Sequence, residues 1–354
     1  MKLLTDTIRR IEPQDAASRI KAHERLAQLT MPHWALGRLM DLAEDLAGMT
    51  RSLHPPVKRK VVVTMAGDHG VTAEGVSKYP SEVTPQMVHN FVNGGAGINA
   101  LARLAGARVV VVDMGVAADL SSLAASGAIV SKRVAAGTRN LARGPAMTRD
   151  EAVRSIEAGI EVARELADST DLFGTGEMGI GNTTPSSAIV AVLTGCSVAE
   201  VTGHGTGIAP EQFRNKVAVI ERALALHRPD PTDPLDVLAK VGGFEIGGLA
   251  GLMLGAAAQR KPIVVDGFIS TAAALLAHAL AADSAQYMIS GHRSVERGHQ
   301  VALQRLDKKP LMDLDLRLGE GTGAALAMHF VEAAVRILTE VATFEEAAVS
   351  KADK

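Results

Sequence analysis

Two hydrophobic rhythms alternate along this chain. Residues 16–29 and 36–49 carry apolar side chains at helical spacing between charged ones, which predicts two amphipathic helices before the Pro55-Pro56 pair ends the pattern. From Lys60 the grammar changes. Val61-Val62-Val63-Thr64-Met65-Ala66 is an almost unbroken apolar run, as a strand buried on both faces requires. Similar runs lie at 109–112, 172–173 and 263–265, and Ala-rich helical patterns fall at 97–105, 149–167, 186–193, 217–226, 247–258, 271–282 and 324–338. Strands alternating with helices predict βαβ units and an α/β fold with a doubly wound, mostly parallel sheet. Residues 227–236, with three prolines, predict a loop or a connection between lobes, and the charged tail 349–354 predicts a frayed end. There is no internal repeat and no low-complexity segment.

Gly243, Gly247, Gly251 and Gly255 recur every four residues along one predicted helical face. Each costs about 1 kcal/mol of helix stability against Ala. Close approach of a neighbouring helix is the compensation expected.

Composition narrows the partners. In 354 residues, 47% are apolar and only 3% aromatic, so the core is built from aliphatic side chains and stacking platforms for exposed bases are scarce. A net charge of −2 without a basic run argues against nucleic acid or an anionic membrane as partner. Cys196 is the only cysteine, so no intrachain disulfide forms and a reducing cytoplasm is expected. The start, Met1-Lys2-Leu3-Leu4-Thr5-Asp6, lacks a signal-peptide core, and the apolar window 249–258 is too short to span a bilayer.

Candidate chemistry collects at strand ends. The apolar runs end in Ala66-Gly67-Asp68-His69-Gly70, Asp113-Met114-Gly115, Gly174-Thr175-Gly176-Glu177-Met178-Gly179 and Asp266-Gly267-Phe268. Singly, each carboxylate reads as a turn residue. Four on the carboxyl edge of a parallel sheet, where such folds bind ligands, read as a site. Residues 174–179 also spell G-x-G-x-x-G, with Glu200 some distance on, which raises a nicotinamide-dependent oxidoreductase. Glu177 beside a pyrophosphate would repel it, so the match is accidental on this reading. Asn182-Thr183-Thr184-Pro185 predicts a helix start whose free N–H groups suit one phosphate. The loop from Val201 to Gly207, with Lys216 following, suits a phosphomonoester, against a reading of Lys216 as a solvated surface residue. Ser290-Gly291-His292-Arg293-Ser294 is a polar loop that either touches substrate or merely turns. His69, His204 and His292 lack metal-ligand spacing, so no metal is expected. Near the C-terminus, Arg317-Leu318-Gly319-Glu320-Gly321-Thr322-Gly323 sets a carboxylate among glycines ahead of a helix. Glu320 there either favours the helix dipole or aims at a ligand.

Taken together, these stretches resemble the nicotinate-nucleotide:dimethylbenzimidazole phosphoribosyltransferase family. The resemblance spans nearly the whole chain, from Ala66-Gly67-Asp68-His69-Gly70-Val71 to Gly319-Glu320-Gly321-Thr322-Gly323-Ala324-Ala325, with Gly176 to Thr184, Lys240 to Ile246 and Val265 to Phe268 between. It implies a large α/β, Rossmann-like lobe at 59–319, a small, mainly helical lobe from both termini (1–58 and 320–354), and a homodimer. It also implies transfer of phosphoribose from nicotinate mononucleotide to 5,6-dimethylbenzimidazole, without a cofactor. By their motifs Glu320 corresponds to a general base and Glu177 to a second carboxylate near the ribose. Tyr79, Pro80, Met87, Met178 and Leu318 correspond to the benzimidazole pocket. Gly179, Asn182, Gly203, Gly205, Lys216 and Asp266 correspond to the phosphate and ribose site. Two departures are visible. Met31-Pro32-His33-Trp34-Ala35-Leu36-Gly37-Arg38-Leu39 stands where many members carry Pro-Pro-Gly-Ser-Leu-Gly-Arg-Leu, and His204 stands where Arg is frequent. The alternatives are the same chemistry on a purine, hydroxybenzimidazole or phenol, the oxidoreductase above, and a non-catalytic binding protein.

Overall fold

The apolar run at 61–66 becomes the centre of a six-stranded parallel sheet. The computed structural model describes residues 1–203, 207 and 209–350. The first half holds α1 (Lys2–Ile8), α2 (Ala16–Leu26), α3 (Arg38–Thr50), β1 (Lys60–Gly67), α4 (Val83–Val92), α5 (Gly97–Ala105), β2 (Ala107–Gly115), α6 (Ser121–Ala125), β3 (Val130–Ser131) and α7 (Arg149–Leu166). The second half holds β4 (Leu172–Met178), α8 (Thr183–Thr194), α9 (Val198–Val201), α10 (Pro210–His227), α11 (Pro234–Val241), α12 (Phe244–Ala258), β5 (Ile263–Val265), α13 (Phe268–Leu280), β6 (Met288–Ser290), α14 (Arg297–Arg305) and α15 (Thr322–Glu340). The strand order is β3-β2-β1-β4-β5-β6, the doubly wound α/β order whose direction of growth reverses between β1 and β4.

Successive residues of a strand face opposite layers, and β1 shows it directly. Val61, Val63 and Met65 join a core with α7, α8, α11, α12 and α13. Val62 and Ala66 join the other core, with α2, α3, α4, α5 and α15. The two terminal segments therefore meet: α2 and α3 pack together, and α15 packs on α3 and α5. The first helix departs from that grouping, since α1 packs against α7 and α12 on the opposite layer. The glycine ladder of α12 is explained by α7. A Cβ on Gly251 would lie 1.9 Å from the carbonyl oxygen of Ile156, and one on Gly247 would lie 2.1 Å from Ser155 Oγ.

Three local readings change. The G-x-G-x-x-G match is not a loop: Gly174 and Gly176 lie within β4. They are glycines because α15 and its preceding loop press on the strand; a Cβ on Gly174 would sit 2.8 Å from Met328 Cε, and one on Gly176 only 2.2 Å from the Glu320 carbonyl oxygen. Residues 227–236 are not loop throughout, because α11 begins at Pro234 with the Asp233 side chain accepting from Leu235 and Asp236 N–H. Finally, β3, β6, α1, α4, α11 and α14 carry too few apolar residues, or span too short a stretch, to show in the hydrophobic pattern. Among the described residues no helix is long and apolar enough to cross a membrane.

Candidate active site

At the switch between β1 and β4 the carboxyl ends of the strands open into a cleft of about 380 Å³. That volume lies in the range of small-molecule sites. A larger surface groove, about 620 Å³, is lined by Ala27, Gln28, residues 30–33 and Phe344, and its only titratable side chain is His33. The switch-point cleft holds the chemistry. Its mouth is apolar, with Val83, Met87 and Met178 in its lining and Tyr79 and Leu318 at 48% and 60% exposure. Its depth is polar, with Glu177, Asn182, His292, Glu296 and Glu320.

Glu177 is delivered by the carboxyl end of β4, beside Met65 of β1. It is buried, and Asn182 Nδ2 donates to its Oε2. Burial pushes its pKa up to about 8, with the carboxylates of Asp266, Glu245 and Glu320 adding and the Asn182 hydrogen bond opposing. Its Oε1 lies against Gly319, where a Cβ would come within 2.2 Å. This contact brings the β4 end and the loop before α15 together.

Glu320 comes from that loop. Its Oε2 accepts the Ile98 N–H at 3.0 Å, at the start of α5, while Thr64 Oγ1 donates to its carbonyl oxygen at 3.0 Å. Burial raises its pKa, opposed by the Ile98 hydrogen bond. A buried carboxylate with a raised pKa is a stronger base when ionised than a solvated one.

The phosphate-side candidates divide. Asn182 and Gly179 line the cleft. Asn182 spends its side chain on Glu177, so the N-terminus of α8 has no side-chain cap. Lys216 stands one layer back. It is buried, and its Nζ donates to Thr183 Oγ1 at 2.7 Å, with Thr183 on the wall. Burial lowers its pKa to about 8, opposed by the charge of Glu296. Gly203 also lies behind the wall; a Cβ there would collide with Glu296 Oε2 at 1.7 Å. Gly205 and His204 lie outside the described residues. Pro80 is exposed beside Tyr79 and off the cleft lining.

The expectation of four strand-end carboxylates facing a ligand is corrected. Only Glu177 lines the cleft. Asp113 Oδ1 accepts the N–H groups of Gly115 and Val116, which makes it a turn cap. Asp68 Oδ2 accepts from Ala117 N–H at 2.8 Å. Asp266, expected at phosphate or ribose, is 1% exposed with both oxygens taken by backbone N–H groups of the Glu320 loop. Conversely, Glu296 lines the cleft without having been singled out in the sequence, and His292 of the 290–294 loop proves to face it. Behind β1, His69 Nε2 and Glu245 Oε1 form a fully buried pair at 2.7 Å. The Glu245 charge raises the His69 pKa against the effect of burial. Among the described residues no group of three or more His, Cys, Asp or Glu is arranged to hold a metal.

A doubly wound sheet with three carboxylates and an uncapped helix start at its switch point has the parts of a group-transfer enzyme. Residues 11–349 match the model of a phosphoribosyltransferase family, and the chain belongs to that family. It is 68% identical over 351 residues to a nicotinate-nucleotide–dimethylbenzimidazole phosphoribosyltransferase of Syntrophotalea carbinolica, covering 99% of both chains. It is 57% identical over 354 residues to the enzyme of that name from Geobacter sulfurreducens, covering 100% of both. Among solved structures it is similar to CobT from Thermus thermophilus, with a TM-score of 0.91 and 46% identity over 95% of this chain and 100% of that one.

Proposed function

We propose that this enzyme transfers phosphoribose from nicotinate mononucleotide to 5,6-dimethylbenzimidazole, giving α-ribazole 5'-phosphate and nicotinate for the nucleotide loop of cobamides. The full-length relatives named for this reaction support the substrates. One observation carries the chemistry: Glu177 and Glu320, on separate elements, share a single cleft with an apolar mouth. A planar dimethylbenzimidazole suits Met87, Met178, Tyr79 and Leu318, since methionine adapts to flat apolar rings. The α8 N-terminus, with Lys216 behind Thr183, suits the phosphate.

In the step itself the unprotonated ring nitrogen of the benzimidazole attacks C1' on the face opposite the nicotinate. The C1'–nitrogen bond to nicotinate breaks, and its electron pair returns to the pyridine nitrogen. Positive charge develops on the ribose, as in glycosyl transfer generally, and Glu177 at the cleft floor offsets it once ionised. The other benzimidazole nitrogen becomes acidic on attack, and Glu320 takes its proton. General base catalysis of this kind contributes about 10²–10⁴-fold. A homodimer working in the cytoplasm, without cofactor or metal, completes the reading.

Incubation of the protein with both substrates tests it. Nicotinate and the α-riboside are expected in equal amounts. Product with a purine or phenol but none with dimethylbenzimidazole would move the assignment to another acceptor; no product with any acceptor would overturn it.

A further inference from the structure

The backbone of Glu320 is held in a conformation that its own side chain disfavours. Its φ is +62°, between Gly319 at +80° and Gly321 at +98°. Three successive residues in the left-handed region, the middle one not glycine, persist only where the surroundings dictate them. Gly321 is also the N-cap of α15, so the helix begins without a capping side chain. No side chain fits at Gly321, since a Cβ there would meet Val62 Cγ1 at 2.5 Å.

The missing cap comes from 55 residues away in the sequence. Asp266 Oδ2 accepts the Gly321 N–H at 3.2 Å, and Oδ1 accepts the Ala324 N–H at 3.0 Å. The Ala324 amide, at N3, is one that a local Asp or Ser cap would serve, and the N-cap amide of Gly321 is the one that the Glu of a capping box would serve. Asp266 is itself fixed, because its N–H donates to Thr175 Oγ1 at 3.0 Å. His292 Nε2 lies 3.6 Å from Oδ1, and the ring is wedged against Gly323, where a Cβ would meet His292 Cδ2 at 2.0 Å. Burial raises the Asp266 pKa, opposed by His292 and by the backbone N–H groups of Ala324, Gly323 and Gly321. Both carboxylate oxygens accept amides at the start of α15, Gly321 directly after Glu320 and Ala324 three residues on.

We propose that Asp266, backed by His292, is a positioning residue of the transfer reaction. It clamps Gly321 and Ala324 so that the left-handed turn holds the Glu320 carboxylate over the cleft. This rests on the reading of Glu320 as base. Asp266 stands off the cleft wall and acts through the loop, whereas a ribose or phosphate ligand would act on substrate affinity.

Steady-state kinetics of Asp266→Asn, Glu320→Gln and the double variant test this with both substrates. A displaced catalytic group costs up to about a hundredfold in rate. Asp266→Asn is expected to lower kcat by about tenfold or more with the KM for nicotinate mononucleotide within about twofold. In the Glu320→Gln background the same change is expected to have under about twofold further effect, because the two residues act as a unit. A raised KM at unchanged kcat would make Asp266 a substrate ligand. Unchanged kinetics, or fully multiplicative losses, would likewise overturn the proposal. If Asp266→Asn folds poorly, Thr175→Val carries the test, since it removes the hydroxyl that accepts the Asp266 N–H and so loosens Asp266 itself; a kcat loss at constant KM is expected, and an unchanged kcat contradicts the clamp. Wild-type turnover by Glu320→Gln would sink the base reading separately. Hydrogen exchange at the Gly321 and Ala324 amides then decides the clamp: faster exchange in Asp266→Asn upholds it, and unchanged exchange refutes it.

Discussion

The end of β4 and the loop before α15 each present one glutamate to the same cleft, but they hold it by different means. Glu177 extends from a regular strand, fully enclosed, with Asn182 as its side-chain donor and three other carboxylates adding to the burial that raises its pKa to about 8. Glu320 stands on three left-handed residues, tied at its carbonyl by Thr64, at its side chain by Ile98 and at the following residues by Asp266. The strand needs no clamp, since its ladder with β1 already fixes it. The loop has no ladder, so buried polar contacts from β1, α5 and the β5 end must fix it instead. Two carboxylates of one chemistry thus sit in different settings: burial raises the pKa of both, to about 8 for the enclosed Glu177, while Glu320 is the one held by the clamped loop and proposed as the base.

The sharpest break of this comparison comes from exchanging each carboxylate for its amide. Glu320→Gln is expected to lower kcat at least about a hundredfold while leaving the KM for nicotinate mononucleotide nearly unchanged, as loss of a general base does. Next is the contact that joins the two regions. Gly176→Ala would place a Cβ 2.2 Å from the Glu320 carbonyl oxygen and 2.7 Å from Thr64 Oγ1. It should cost about 1–3 kcal/mol of stability, as overpacking does, and reduce kcat about tenfold or more. Thermal unfolding and steady-state rates measured together check both effects.

The pH dependence of stability sharpens the contrast further. The folded protein keeps the Glu177 proton up to about pH 8, whereas the unfolded chain releases it near its ordinary value of 4.5. Its contribution is therefore full below about pH 4.5 and is lost as pH rises toward 8. Glu177→Gln is expected to flatten the fall in stability over that window by up to about 1.4 kcal/mol per pH unit, in denaturant melts at pH 5, 6, 7 and 8. The smallest effect belongs at the mouth. Tyr79 is 48% exposed, and Tyr79→Ala should raise the KM for dimethylbenzimidazole by about threefold, under 1 kcal/mol, with kcat kept.

The same contrast explains what the sequence made legible. Buried parallel strands write themselves as apolar runs, so β1, β2 and β5 were readable, and Glu177 follows from β4 by position alone. Glu320 was readable because glycines on both sides signal an unusual backbone. The clamp was not readable. Asp266 ends a strand as Glu177 does, which suggested a ligand contact, yet its oxygens are consumed by amides of residues 321 and 324. His69 and Glu245 are 176 residues apart, and only the topology makes them a pair. Glu296, in a short polar stretch before α14, carries no periodic or glycine signal. Strand β3 has only two residues, and β6 is as long as β5 but ends in Ser290 where β5 is apolar throughout.

The central claim, that the clamped Glu320 removes the benzimidazole proton, is tested most directly by varying the acidity of that proton. The rates of wild type and Glu320→Gln are compared across benzimidazoles from 5,6-dimethyl to nitro-substituted, whose N–H is progressively more acidic. If Glu320 is the base, the deficit of Glu320→Gln should shrink about tenfold or more toward the acidic end, as Brønsted behaviour requires. A deficit that stays constant across the series would contradict the account and leave Glu320 a role in binding or charge stabilisation alone.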